Sequence, residues 1–191
     1  MNSRFTMAAR IIGAVALLLG GFLLLKALLP PPMEKQAQYL SGLSSDLKVQ
    51  LTHPTRLLVG KTGRVSLTFQ TGAEMGSAEV VFDRQLDLEG FAVRPQKRLL
   101  TRLETTRSYT EAWKVEAFAP TNTAGTIGMA VVGEGASGMI ALTPQYTFAF
   151  SVEGYNFLGM GYTQAIRNGL LLLALGIGAG LLGFMTARKG Y

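Results

Sequence analysis

Two long stretches of the chain show no polar rhythm, and the stretch between them alternates. Ile11 to Leu29 is apolar except for Lys26, and Asn168 to Ala187 (NGLLLLALGIGAGLLGFMTA) holds no charged residue. A helix rises about 1.5 Å per residue, so roughly 20 apolar residues cross a hydrocarbon layer of about 30 Å. A helix also satisfies its own backbone hydrogen bonds, which lipid cannot do. The pattern therefore predicts transmembrane helices over 11–29 and 168–187. Pro30-Pro31-Pro32 ends the first, because proline lacks an N–H and clashes with the preceding turn. Met33 to Leu43 (MEKQAQYLSGL) reads as weakly helical, lying along the membrane surface.

From about Asp46 the period changes to two. Leu47, Val49 and Leu51 alternate with Lys48 and Gln50, and Val65, Leu67 and Phe69 with Arg64, Ser66, Thr68 and Gln70. Further runs start at Val80, Leu86 and Phe91, then at Trp113, Ile127 and Tyr146, with Gly, Pro, Asn and Thr clusters between them. About seven or eight short strands with turn signals predict an antiparallel β-sandwich, one face of each strand buried. The domain plan is a tail (1–10), a helix (11–29), a spacer and juxtamembrane segment (30–45) and a sandwich (46–153). An interfacial linker (154–167), a second helix (168–187) and a tail (188–191) complete it. In the linker, Tyr155, Phe157 and Tyr162 suit a membrane interface, where a ring meets both lipid and water.

Both apolar runs carry small residues at helical spacing. Ala9, Gly13, Ala16 and Gly20 are spaced 4, 3 and 4, as are Gly176, Gly180, Gly183 and Ala187. Gly169, Gly176 and Gly183 recur every seven residues, and Gly176 with Gly180 makes a GxxxG pair. Such faces let helix backbones approach closely. The expected partner is the other helix of this chain or a helix of another membrane protein.

Charge then sets orientation. The formal charge is +6, but the twelve Lys/Arg between Pro30 and Ala165 are balanced by all twelve acids of the chain. The surplus is Arg4, Arg10, Lys26, Arg167, Arg188 and Lys189, which flank the apolar runs. This argues against a nucleic-acid partner and for membrane lipids. The long first run lacks a small-x-small cleavage signal, which favours an uncleaved anchor over a signal peptide. By the positive-inside rule both termini are expected in the cytoplasm. The sandwich is then periplasmic or extracellular, and the membrane the inner membrane of a bacterium.

Candidate chemistry is sparse. With no cysteine there is no disulfide, thiolate nucleophile or blue-copper site. His53, the one histidine, precedes Pro54 and reads as a turn residue without a metal. Met75, Met129, Met139 and Met160 are scattered among apolar residues and read as packing. Glu74/Glu79 and Asp83/Asp87 have no nucleophile or base beside them and read as solvated. The GxGxxG spacing at Gly133, Gly135 and Gly138 falls between two strands and reads as a hairpin loop. No catalytic residue, metal ligand or cofactor site is expected. Arg94, Lys97, Arg98, Arg102 and Arg107 form one basic run: either an electrostatic contact for an acidic partner or anionic lipid, or a charged edge strand that resists aggregation.

The layout over residues 46–153 resembles bacterial immunoglobulin-like or fibronectin type III-like domains. Pro54 to Gln70 (PTRLLVGKTGRVSLTFQ) is similar to their first strands, and Trp113-Lys114-Val115 with Gly125 and Ile127 to Val131 to a later passage. The resemblance implies a fold and no site residues. The expected function is a non-catalytic accessory subunit of a membrane protein complex, respiratory, photosynthetic or transport. The alternative is a tethered extracytoplasmic ligand- or protein-binding module for sensing or adhesion.

Overall fold

The structure, a computed structural model, describes residues 3–40, 47–71, 78–82, 88–94, 99–103, 107–134, 140–142 and 146–188. It divides into a helical unit, Met1–Pro30 with Phe157–Tyr191, and a β unit, Pro31–Asn156.

The helical unit holds α1 (Ser3–Leu28) and α2 (Tyr162–Arg188). Leu29 N–H still donates to Leu25 O (3.0 Å), and the prolines then stop the helix. A two-residue turn precedes α2. Phe157 and Met160 exchange N–H···O bonds of 2.9 Å, and Leu158 (φ 52°) and Gly159 (φ 73°) take the left-handed conformations that such a turn needs. Helix α2 therefore begins six residues before the charge-free run at Asn168, because Tyr162 to Arg167 completes it in place of a linker.

The β unit is two sheets. One has the order β1 (Met33–Leu40), β2 (Leu47–Pro54), β4 (Thr62–Thr71), β8 (Ser108–Ala117), β6 (Phe91–Arg94). The other runs β3 (Arg56–Leu58), β11 (Tyr146–Tyr155), β9 (Asn122–Glu134), β5 (Ala78–Phe82), β7 (Leu99–Leu103), with β10 (Ile140–Leu142) also on β9. All pairs are antiparallel except β3 with β11. The first strand of the sandwich changes sheets at Pro54–Thr55: β2 pairs with β4, and β3 runs parallel to the last strand. The order β2-β4-β8-β6 against β11-β9-β5 is the ABED-against-GFC arrangement of an immunoglobulin-like sandwich. The core is the set of alternating residues expected of it: Val49, Leu51, Val65, Leu67, Phe69, Trp113, Val115, Ile127, Phe148 and Phe150 are buried, with Leu57 from β3 and Leu88 just before β6.

Two expectations are corrected. Residues 33–40 are not a surface helix but strand β1, in register with β2 over eight pairs. After three prolines the chain is extended, and the open ladder of β2 outweighs the helix propensity of MEKQAQYL. Where described, β1 side chains are exposed or half-buried on both faces. His53 is not in a turn. It ends the buried face of β2 and is 1% exposed, because the alternation Leu47, Val49, Leu51 runs on to it.

Candidate functional site

The helical unit shows how the small residues are used. A side chain built at Gly20 would place its Cβ 2.7 Å from Gly169 O and 2.9 Å from Leu173 N; one at Gly13 would lie 3.0 Å from Gly176 O and 3.1 Å from Gly180 N. Gly183 meets Arg10 and Thr6, so the helices run antiparallel. Backbones this close place glycine hydrogens against carbonyl oxygens, which adds weak Cα–H···O attraction to dispersion. The packed stripe of α2 follows the heptad Gly169, Gly176, Gly183. Gly180 contributes its backbone rather than a missing side chain, since a Cβ there meets nothing within 4 Å. On α1 Gly13, Ala16 and Gly20 are buried and Ala9 half-buried. Leu23, Ala27 and Ala165, outside the small-residue spacings, continue the stripes and are buried. Extending the heptad from Gly13 and Gly20 to Ala27 finds the second of these. Ala187 has its side chain outside the described residues.

The aromatic positions have separate partners. Phe157 packs on Phe22 with ring centroids 5.7 Å apart. Tyr155 lies beneath the Arg56 guanidinium (4.7 Å to the ring centroid), and Arg56 is also held by Glu153 through contacts of 2.8 and 3.1 Å. Tyr162 opens α2, and Asn168 Nδ2 donates to the Met160 sulfur at 3.1 Å.

In the β unit the basic run is divided. Arg94 and Arg107 are exposed and lie beside opposite ends of β8: Arg94 pairs with Lys114, whereas Arg107 precedes Ser108. Arg102 lies on β7 in the other sheet, with its side chain outside the described residues, and Lys97 and Arg98 lie wholly outside them. Register builds a different group. Arg64 on β4, Lys114 on β8 and Arg94 on β6 stand abreast on the outer face of the first sheet. Elsewhere on that face Gln50 pairs with Thr68, and Thr68 with Thr110, the two threonine hydroxyls 3.1 Å apart. A depression of about 230 Å³ opens there, lined by Gln38, Lys48, Gln50, Thr68, Gln70 and Ser108.

His53 has its ring 5.1 Å from that of Phe150, and Nδ1 lies 3.2 Å from Pro54 O. Its Nε2 is buried without a hydrogen-bond partner, 4.0 Å from the Glu34 carboxylate. Lys61, in the β3–β4 turn, has its pKa lowered by partial burial. Among the described residues no three His, Asp or Glu side chains gather as a metal site would require. Glu74, Met75, Asp83, Asp87 and Met139 lie outside the described residues, as do Gly135 and Gly138.

No protein-family model matches the chain, and no curated protein matches it. Solved structures that match it include β-sandwich domains. An ASH/PapD-like domain of human CEP192 is 10% identical over 62% of this chain and 91% of that one, with a TM-score of 0.41. SSP-19, an MSP-domain-like protein of Caenorhabditis elegans, is 10% identical over 52% and 92%, with a TM-score of 0.34. AggA, the major subunit of aggregative adherence fimbriae type I of Escherichia coli, is 10% identical over 66% and 98%, with a TM-score of 0.36. The β unit is an immunoglobulin-like sandwich by its own strand order.

Proposed function

We propose that the chain is a non-catalytic accessory subunit of a bacterial inner-membrane protein complex, anchored by a helical hairpin and presenting its sandwich outside the cytoplasm. The observation that carries this reading is the outward surface of the helical unit. Its two helices are long and apolar enough to cross a bilayer, yet only 22% and 17% of their apolar windows is buried. A core helix of a water-soluble protein is mostly buried. Here Ile12, Leu18, Leu175 and Leu182 are each more than 60% exposed around a glycine seam, a surface suited to lipid or to partner helices.

The glycine faces lie against each other, so recruitment of other subunits falls to the leucine-rich outer surface or to the sandwich. Tethering at both ends restricts the sandwich to its neighbourhood, which suits a clamp or cover on a partner. The test is an alkaline carbonate wash of native membranes, then mild detergent extraction and native electrophoresis. The protein is expected to stay with the membrane and to migrate with other subunits. Release by the wash would remove the anchor; migration alone would remove the accessory role.

A further inference from the structure

We infer that the Arg64–Lys114–Arg94 row is a headgroup-binding band that seats the sandwich on an anionic lipid surface. The inference rests on the reading that the two helices cross a bilayer. Its basis is the register. Lys114 pairs with both Arg64 and Arg94, so three cations occupy neighbouring positions on three adjacent strands. Like charges directly opposite one another repel, and among the described residues none of the three is ion-paired. The outer face also carries Lys35 and Lys48, and its one acid among the described residues is Glu116. Phosphate groups offset such repulsion, and guanidinium groups bind them with two parallel hydrogen bonds.

The position of the row selects lipid over an acidic protein. Met33 lies opposite Pro54 in the β1–β2 pairing. Extending the β2–β4 pairing two residues beyond Thr52–Ser66 brings Pro54 level with Arg64. The cations therefore stand at the level where the chain joins the sandwich, and only Pro30, Pro31 and Pro32 separate Met33 from Leu29. The chain leaves at the same end, since Thr55 N–H donates to Pro32 O while Glu153 N–H donates to Thr55 O. Beyond the row, past Ala117, Phe118 is 65% exposed. An exposed aromatic ring beside a basic band is the pairing that suits a headgroup layer.

The experiment uses the full chain in proteoliposomes. The sequence has no cysteine, so Asn122→Cys, at this end of the sandwich, gives a single site for a fluorophore. Quenching by headgroup-labelled lipid is compared in phosphatidylcholine alone and with phosphatidylglycerol added. Phosphatidylglycerol should increase quenching, and Arg64→Gln, Lys114→Gln and Arg94→Gln together should abolish the increase. Each cation removed should lower the ratio of seated to unseated sandwich by roughly fivefold. Salt at 0.5 M, with a screening length on the order of 4 Å, should act like the triple substitution. Phe118→Ser should weaken seating in both lipids. Quenching that ignores phosphatidylglycerol in flotation-verified proteoliposomes overturns the band and leaves the anchor standing. Loss of a co-purifying protein in the triple variant, without lipid dependence, assigns the row to an acidic partner and also overturns it. Failure to float with liposomes overturns the anchor itself.

Discussion

At His53 one buried side chain carries a polar atom that the fold does not satisfy. The ring fills space against Phe150, while Nε2 is buried without a partner and stops 4.0 Å from Glu34. An orphaned buried nitrogen costs roughly 1–3 kcal/mol, whereas an emptied core site costs roughly 2–5 kcal/mol. His53→Leu should therefore unfold within about 1 kcal/mol of the parent, and His53→Ala about 2–4 kcal/mol below it. Denaturant unfolding of the full chain in detergent, followed by Trp113 fluorescence, checks this. Equal losses for the two variants would show that Nε2 is held by water. Alternation already pointed to this position, since His53 is two residues beyond Leu51. The neighbouring proline hid it by suggesting a turn, when here Pro54 marks the corner at which the strand changes sheets.

At the scale of elements the helix pair gives the sharpest contrast. Gly20→Ala pushes a methyl group against the backbone of α2, where neither Gly169 O nor Leu173 N can turn aside. Overpacking of this kind costs about 1–3 kcal/mol. Gly180→Ala meets nothing and should leave stability unchanged, although the GxxxG spacing gives Gly176 and Gly180 equal weight. Thermal unfolding in mild detergent separates the two, and equal losses would contradict the register. The helices, the small-residue faces and the alternating strands, apart from the run at Leu86, which lies outside the described residues, were legible because each is written in a local period. Strands β1, β3, β7 and β10 were not: their residues become strands through the ladders of β2, β11, β5 and β9. The cation row was hidden for the same reason. Arg64, Arg94 and Lys114 are far apart in sequence and meet only through pairing, whereas the run from Arg94 to Arg107 looked coherent and is divided by the fold.

For the whole molecule, the hairpin reading makes a claim about sidedness. Introduced cysteines are unique reporters in a chain that has none. In intact spheroplasts an impermeant maleimide should label Asn122→Cys and spare Ser3→Cys and Tyr191→Cys, which should react only after lysis. Reaction at one terminus alone would break the hairpin, and the reverse pattern would place the sandwich in the cytoplasm. Neither the partner nor the process is legible, because recognition of a protein surface leaves no short motif comparable to a metal-ligand spacing.

The parallel pairing of β3 with β11 has a consequence for how the protein is made. The strand closing that sheet is the last of the sandwich, and the helix that covers the glycine seam of α1 follows it. Residues 29–161 must be translated between the two helices, which at ribosomal speed takes on the order of ten seconds. If α1 is the membrane anchor proposed above, it waits through that interval with its seam uncovered, and the sandwich lacks the strand that pairs with β3. On that reading the nascent chain is a client for an insertase or holdase at one defined stage. Ribosome profiling of such factors should show their footprint ending as α2 emerges.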